Sequence, residues 1–131
     1  MPCLDTNFLI EIIRGNSEAI QKAASLQKSG STIKTTSVNA CELYKGAYKS
    51  ARPEENINEI ESMLSSITLL NFDQRSAKIA AMLMEDLRAA GQSLSAMDIM
   101  IAAVTLENNE TLLTKDTAHF KRIKELRIET W

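Results

Sequence analysis

The chain has 131 residues, a length that suits one domain with a single core and is short for two. Its apolar content of 44% is typical of a globular protein, and its net charge of −2 excludes a protein that holds nucleic acid by overall charge alone. It lacks both a run of about 18 apolar residues and the basic-then-apolar pattern of a signal peptide, so we expect one cytoplasmic domain over residues 1–131 with no membrane contact.

The first predicted strand is the apolar segment Pro2-Cys3-Leu4, which ends at Asp5 and passes at once into a helical pattern over residues 6–14. In an open α/β sheet, ligands bind just beyond the carboxyl ends of the strands. Asp5 would then lie at the rim of that crevice. The alternative is that Asp5 simply caps the helix that follows, as Asp often does.

Helices and strands are predicted in alternation along the rest of the chain. Three glycines, Gly15, Gly30 and Gly91, fall where a helical pattern stops. Strands separated by helices imply parallel βαβ units and a doubly wound α/β sheet. The predicted strands cover residues 31–37, 68–72, 111–114 and 127–129, and the predicted helices cover residues 17–29, 38–50, 73–90, 95–106 and 117–125, with one more helix that begins at Pro53.

Cysteine and histidine offer little chemistry in this sequence. Cys3 and Cys41 both fall in apolar surroundings, so we expect reduced core residues and no disulfide. The single histidine excludes a zinc site built from several histidines. His119 stands beside Phe120, and we interpret it as structural because no Ser/His/Asp or Cys/His arrangement can be built around it.

Asp98 is the only charged residue between Ala96 and Leu106. A helix that is apolar on nearly all sides should be buried, and a buried carboxylate is costly unless it is paired or bound to a metal. The alternative is local, because Ser95-Ala-Met-Asp98 matches a capping box. The two interpretations are compatible, since a first-turn carboxylate at the edge of a sheet still faces the crevice.

Asp116 follows its predicted strand as Asp5 follows the first one. Thr114 lies two residues earlier and therefore points to the same side of the chain. Asp116 is a second candidate for the crevice, and the alternative is again that it only caps the next helix.

Glu42 lies about one turn into its predicted helix, and Gly46 lies four residues later on the same face. A glycine inside a helix costs roughly 1 kcal/mol relative to alanine and usually needs a reason. The reason could be room for a phosphate backbone beside Glu42, with Lys45 and Lys49 nearby. The alternative is a solvent-exposed Glu42 on a helix that packs tightly at Gly46.

As an ordered set, these motifs resemble the PIN-domain ribonucleases, in particular the small VapC-type toxins of toxin–antitoxin pairs. They occur in the order and at the spacings of that family and cover essentially the whole chain. The matching segments are Leu4-Asp5-Thr6-Asn7, Glu42-Leu-Tyr-Lys-Gly46, Asp98-Ile-Met-Ile-Ala-Ala, and Thr114-Lys-Asp116 with His119-Phe120.

The resemblance implies a PIN-like three-layer fold, in which a five-stranded parallel sheet of order 3-2-1-4-5 is flanked by helices. It also implies a catalytic site at the carboxyl edge of the sheet. Asp116 is one of the residues implied for this site, although some relatives have Asn at the corresponding position. By resemblance, the metal-binding carboxylates are Asp5, Glu42, Asp98 and Asp116, with Thr114 beside them and Asn7 as a supporting polar group.

The chemistry of these residues agrees with a metal-dependent endoribonuclease. Oxygen ligands without His or Cys suit Mg²⁺ or Mn²⁺, and such ions activate water for attack on a phosphodiester. Neutralising four carboxylates would take the net charge from −2 to +2, because −2 + 4 = +2, which favours RNA. We expect Lys45, Lys49 and Lys115 to bind the substrate. By resemblance, the partners are a cognate antitoxin protein and a second copy of the chain in a homodimer.

Two other classes of function remain open. The chain could be a catalytically silent PIN-like fold that only binds RNA or protein. It could also be an aspartyl-phosphate protein, since receivers and some phosphatases place an Asp after their first strand. Such a phosphatase needs a second Asp where this chain has Asn7, and a receiver needs an acidic pair that the sequence does not supply.

Overall fold

The computed structural model describes residues 2–131, and within this range it contains five strands and seven helices. None of these helices combines the length and the hydropathy needed to span a bilayer. The elements in chain order are β1 (Pro2–Leu4), α1 (Thr6–Ile13), α2 (Ser17–Lys28), β2 (Lys34–Thr36), α3 (Ser37–Tyr48), α4 (Pro53–Leu64), β3 (Thr68–Leu70), α5 (Gln74–Ala89), α6 (Ala96–Glu107), β4 (Thr111–Leu113), α7 (Thr117–Phe120) and β5 (Ile128–Glu129).

The five strands form one sheet of order β3-β2-β1-β4-β5, and every pairing is parallel. The predicted sheet and its order are therefore confirmed. Strand β1 is central, with Cys3 opposite Lys34 of β2 on one side and opposite Leu112 of β4 on the other. Because the strands are parallel, their carboxyl ends meet at one edge, and the segments after β1, β2 and β4 become neighbours.

Local signals in the sequence explain where most helices begin. The side chains of Thr36 and Asp73 accept hydrogen bonds from backbone N–H groups of the helices that follow, and both form complete capping boxes with Asn39 and Ser76. Pro53 occupies the first turn of α4, where its missing N–H costs nothing. The glycines after α1, α2 and α5 have φ angles of 80°, 80° and 69°, as predicted for helix ends.

Two apolar clusters cover the two faces of the sheet. Leu112 packs into a cluster supplied mainly by α5, α6 and α7, whereas Leu113 packs into a cluster with Leu4, Phe8 and side chains of α2, α3 and α4. Adjacent residues of a strand point to opposite faces, so both faces of β4 are buried. The result is the predicted three-layer arrangement of helices, sheet and helices.

The predicted helix over residues 117–125 is wrong in its length, because α7 ends at Phe120. Beyond it the backbone makes tighter i to i+3 hydrogen bonds, from the Ile123 amide to the Phe120 carbonyl and from the Leu126 amide to the Ile123 carbonyl. These turns bring all three side chains into the core, where each is buried. The three apolar residues are spaced as in a helix, but their spacing reflects a series of turns and not a continuous α-helix.

The prediction for the two cysteines is confirmed for one and wrong for the other. Cys3 is fully buried, and burial raises the pKa of its thiol to about 12, so it is a neutral core group. Cys41 is exposed on α3 and is not a core residue. Neither forms a disulfide. The apolar residues near Cys41 in the sequence lie on the buried face of α3, whereas Cys41 itself lies on the exposed face of that helix.

Gly46 gives a prediction about stability. A β-carbon at this position would meet no neighbouring atom within 4 Å, so the helix is not packed tightly there and that alternative is wrong. Gly46→Ala should raise the free energy of unfolding by up to about 1 kcal/mol, since alanine is the better helix former, and thus raise the melting temperature by roughly 3 °C. Thermal unfolding followed by circular dichroism measures this change.

The matched control is Gly91→Ala. Gly91 also has open space around it, but its φ of 69° strains any residue with a β-carbon, so this variant should melt lower than the wild type. A lower melting temperature for Gly46→Ala would contradict the account of α3.

Candidate functional site

Four carboxylates gather at the carboxyl edge of the sheet, each brought there by a different element. Asp5 follows β1, Asp116 comes three residues after β4, Glu42 lies in α3, and Asp98 lies in the first turn of α6. Each element starts from the end of a strand or packs over it. The sequence motifs that predicted a shared crevice are therefore brought together by the topology of the sheet.

Asp5 is the most enclosed of the four, with only 6% of its surface exposed. Its Oδ1 accepts a hydrogen bond from the Asn39 amide at 3.1 Å, and its Oδ2 accepts one from the Thr114 hydroxyl at 2.6 Å. It occupies the N-cap position of α1, yet its side chain makes no capping hydrogen bond. Helix capping therefore does not account for its side chain, which is fixed by residues from two other segments.

Thr114 links Asp5 to the neighbouring strand end. Its side chain is fully buried, and its hydroxyl both donates to Asp5 and accepts a hydrogen bond from the backbone N–H of Asp116 at 2.9 Å. The predicted position of Thr114 beside the carboxylates is thus observed. A hydroxyl has one proton, which Thr114 donates to Asp5, and its oxygen remains free to accept from the Asp116 N–H. Thr114 therefore couples the position of the turn that carries Asp116 to the orientation of the Asp5 carboxylate.

Sequence reasoning missed Asn39 and Thr6, which connect Asp5 to Glu42. The amide nitrogen of Asn39 donates to the Thr6 hydroxyl at 2.9 Å as well as to Asp5, and the Thr6 hydroxyl donates to Oε1 of Glu42 at 2.6 Å. The Oδ1 of Asn39 accepts from the Thr36 hydroxyl at 2.7 Å. The signal was the spacing of Thr36 and Asn39, which is that of a helix N-terminus and which fixes the Asn39 side chain.

Asp98 and Asp116 form the more open side of the site. The Ser95 hydroxyl accepts from the Asp98 amide at 3.1 Å, but within residues 2–131 the reciprocal bond of a capping box is not made. The central part of α6 is buried, as its apolar sequence predicted, whereas Asp98 in its first turn is partly exposed. Asp116 likewise makes no capping bond to α7.

His119 also lies on this open side, where it contacts Asp116, and its interpretation as a structural residue stays a prediction. Its Nδ1 lies 2.8 Å from Oδ2 of Asp116, and half of its side chain is exposed. Asp98, Asp116 and His119 each offer a ligand atom, and these three atoms lie within 4.8 Å of one another. The spacing of Asp116 and His119, three residues apart on a helical turn, was the signal in the sequence.

The electrostatics show that the carboxylates interact. Burial raises the pKa of Asp5, the negative charge of Asp98 raises it further, and the hydrogen bonds from Thr114, the Thr6 backbone and Asn39 act against these effects. Burial also raises the pKa of Glu42, with additional contributions from Asp5 and Asp98, while the Thr6 hydrogen bond and Lys45 lower it. The protein alone thus holds several like charges together at a cost in stability.

The donor set fits a divalent cation. In the described part of the chain, no Lys or Arg forms an ion pair with Asp5, Glu42 or Asp98. Carboxylate oxygens are the ligands of Mg²⁺ and Mn²⁺, and a bound cation would remove the repulsion that the protein does not neutralise itself.

The predicted supporting and substrate-binding residues can be located in the fold, and their roles stay predictions. Asn7 has a buried Oδ1 that accepts no hydrogen bond from residues 2–131. Lys45 is exposed on α3, the helix that carries Glu42, and Lys49 is exposed at the C-cap of that helix. Lys115 stands next to Asp116 in the chain, and its ammonium group lies 4.5 Å from the centre of the Trp131 ring.

Comparison with known proteins relates nearly the whole chain to one family. The model of the PIN domain family matches residues 3–126. The tRNA(fMet)-specific endonuclease VapC of Shigella flexneri is 31% identical over 128 residues, which cover 98% of this chain and 96% of that protein. Ribonuclease VapC2 of Haemophilus influenzae is 30% identical with the same coverage.

Solved structures give the same result. VapBC2 from Rickettsia felis, bound to a DNA fragment from its promoter, has a TM-score of 0.92 at 27% identity and covers 99% of this chain and 98% of its own. DNA-bound VapBC from Salmonella typhimurium has a TM-score of 0.89 at 30% identity, and the match covers 99% of this chain and 97% of that one. The positions of the four carboxylates therefore lie within a fold shared over almost the full length.

The raised pKa of Glu42 gives a prediction about pH. A carboxyl group whose folded pKa is raised binds its proton more tightly in the folded state, so its stabilising contribution is full below the unfolded pKa, about 4.3, and is lost as the pH rises through the folded value. Glu42→Gln keeps an acceptor for Thr6 but cannot ionise. In EDTA it should be more stable than the wild type at pH 7, with the difference shrinking toward pH 4, as measured by urea unfolding.

Glu85→Gln is the matched control, because the Arg88 hydrogen bond lowers the pKa of Glu85 and reverses the sign. That variant should be slightly less stable than the wild type at pH 7, with a small effect because the pair is exposed. A Glu42→Gln protein less stable than the wild type at pH 7 in EDTA would contradict the repulsion within the site.

Proposed function

This chain belongs to the PIN domain family, and from that premise we propose that it is a metal-dependent endoribonuclease of the VapC type, the toxin of a toxin–antitoxin pair. The observation that carries the proposal is the convergence of Asp5, Glu42, Asp98 and Asp116 on one crevice, where no Lys or Arg of residues 2–131 forms an ion pair with the first three. Such a site is suited to binding a divalent metal and, through it, a phosphodiester.

The four carboxylates would hold Mg²⁺ or Mn²⁺. When bound, the ion supplies a more acidic water and neutralises charge on the phosphate under attack. The chain's own residues prepare the ligands. Asn39 and Thr114 each take one lone pair on a different oxygen of Asp5, which fixes the carboxylate plane and leaves further lone pairs free. Thr6 orients Glu42 in the same way.

The proposed substrate is RNA, in line with the names of the relatives. The Shigella flexneri relative is named for tRNA(fMet), and we extend only the class of substrate, RNA, to this chain. Lys45 lies on the helix that carries Glu42, Lys49 caps the end of that helix, and a β-carbon at Gly46 would meet only open space. A phosphate backbone could pass along this face toward the carboxylates, with Lys115 on the other side of the site.

The proposed partner is a cognate antitoxin, supported by similarity to the toxin–antitoxin complexes VapBC and VapBC2. We also propose a homodimer. Apolar side chains on the surface of α5 are suited to such contacts, because Met82 and Met84 are 57% and 37% exposed. Both partners would cover surface that is apolar in the isolated chain.

Activity and metal binding should depend on Asp98. The purified protein should cleave single-stranded RNA with Mg²⁺ or Mn²⁺ and stop in EDTA. Asp98→Asn should reduce the cleavage rate by roughly 100-fold or more, because it removes charge from the metal site. It should also reduce the rise in melting temperature that millimolar metal gives the wild type.

Glu61→Gln, on the exposed face of α4, is the control and should behave as wild type. Cleavage that survives chelation, with contaminating nucleases excluded, would refute the metal-dependent mechanism.

RNA affinity should depend on Lys45 through charge. Lys45→Gln, measured with a non-cleavable RNA in Ca²⁺ over a series of salt concentrations, should weaken binding and make the slope of log K against log salt less steep by about 0.7. Lys78→Gln removes an equally exposed charge from α5 and should leave the slope unchanged. Equal effects of the two variants would exclude a specific path along α3.

A further inference from the structure

We propose that His119 is a direct ligand of the metal site and that it favours a first-row transition ion such as Mn²⁺ over Mg²⁺. This inference rests on the proposed function, because it concerns the same cation. It goes beyond the all-oxygen site that the sequence predicted, since it adds a nitrogen donor to the carboxylates.

The geometry on the open side of the site carries the inference. One ligand atom from each of Asp98, Asp116 and His119 lies within 4.8 Å of the other two, a separation that one ion can bridge with small side-chain adjustments. The backbone N–H of Asp116 donates to the Thr114 hydroxyl at 2.9 Å, and that hydroxyl donates to Asp5 at 2.6 Å, so the turn that carries Asp116 and His119 is joined to the buried carboxylate. His119 therefore adjoins the carboxylates at the centre of the site and is not part of a separate surface cluster.

The imidazole is accessible to an ion. A cleft of about 420 Å³ opens on this side of the site. The Arg122 guanidinium, which also lines it, donates to the Ser93 carbonyl at 2.5 Å. The His119 side chain is 50% exposed, so ligation needs no opening of the core. The residues that line the cleft are Ser93, Leu94, Ser95, Asp98, His119 and Arg122.

The chemistry of nitrogen ligands gives the preference among metals. Mg²⁺ is a hard ion that keeps oxygen ligands and water, whereas first-row transition ions also accept imidazole, with Mn²⁺ the weakest binder of that series. A His among carboxylates therefore strengthens the binding of Mn²⁺ and adds little for Mg²⁺. The alternative role is that His119 only orients Asp116 through their 2.8 Å contact, as residues outside the coordination sphere often do. That role would affect both ions alike.

The single histidine of the chain makes a direct test possible. Tag-free protein loaded with one equivalent of Mn²⁺ is examined by electron spin-echo envelope modulation, with natural and with ¹⁵N-histidine-labelled protein. Ligation by His119 predicts a modulation from a directly bonded imidazole nitrogen, which changes on labelling and is lost in His119→Gln. A Mn²⁺ spectrum without imidazole coupling would overturn the inference.

Calorimetry with Mn²⁺ and Mg²⁺ separates a ligand from a positioning residue. His119→Gln should raise the Kd for Mn²⁺ by a larger factor than the Kd for Mg²⁺, because only the transition ion gains from a nitrogen donor. Lys121→Gln, an exposed neighbour of the same turn, should change neither. Equal losses for both metals would assign His119 a positioning role and overturn ligation.

The two proposals fail in distinguishable ways. A wild-type protein that binds Mn²⁺ and cleaves RNA, but shows no imidazole coupling, leaves the proposed nuclease standing and removes only His119 as a ligand. A wild-type protein that binds neither metal and cleaves no RNA overturns the proposed function and this inference together.

Discussion

The site depends on one constraint, the burial of the Asp5 carboxylate without a positively charged partner among residues 2–131. A buried carboxylate is costly unless its oxygens are hydrogen-bonded, and here Asn39 and Thr114 each satisfy one of them. Burial still raises the pKa of Asp5, so hydrogen bonds offset the cost only in part. A cation in the crevice would supply a compensating charge that residues 2–131 do not place on Asp5, and this is why we connect the proposed metal site to the packing.

The topology of the sheet makes these hydrogen bonds possible. Strand β1 lies between β2 and β4, so the segments that leave the three strands at their carboxyl ends are adjacent. The segment after β2 forms a capping box that holds Asn39 against Asp5, and the segment after β4 presents Thr114 from the other side. Elements far apart in the sequence thereby fix one carboxylate, and the same network continues through Thr6 to Glu42.

Much of the fold could be predicted from the sequence because its signals are local. Apolar segments that end in Asp marked β1 and β4, glycines marked the ends of helices, and the order of the strands came from the resemblance to PIN-domain ribonucleases. Local features singled out Asp98 in its apolar helix and Asp5 and Asp116 after their strands, and the resemblance grouped Glu42 with them.

The residues that were missed depend on tertiary contacts. Asn39 looks like an ordinary residue at a helix start, and Thr6 like any polar residue beside Asp5, until three strand ends meet. The contact of His119 with Asp116 was likewise not predicted, because it depends on how the short α7 turns the ring. The predictions for Cys41 and for the end of α7 failed for a similar reason. The sequence pattern does not reveal which side of a helix or turn other elements will bury.

Diffraction from crystals of this protein soaked in Mn²⁺, recorded with the anomalous signal of manganese, tests the central claim most directly. The account predicts an anomalous peak in the crevice, within about 2.5 Å of carboxylate oxygens of Asp5 and Asp98. Manganese bound only at other places on the surface, with the four carboxylates free of the ion, would contradict the claim that they converge to hold a metal.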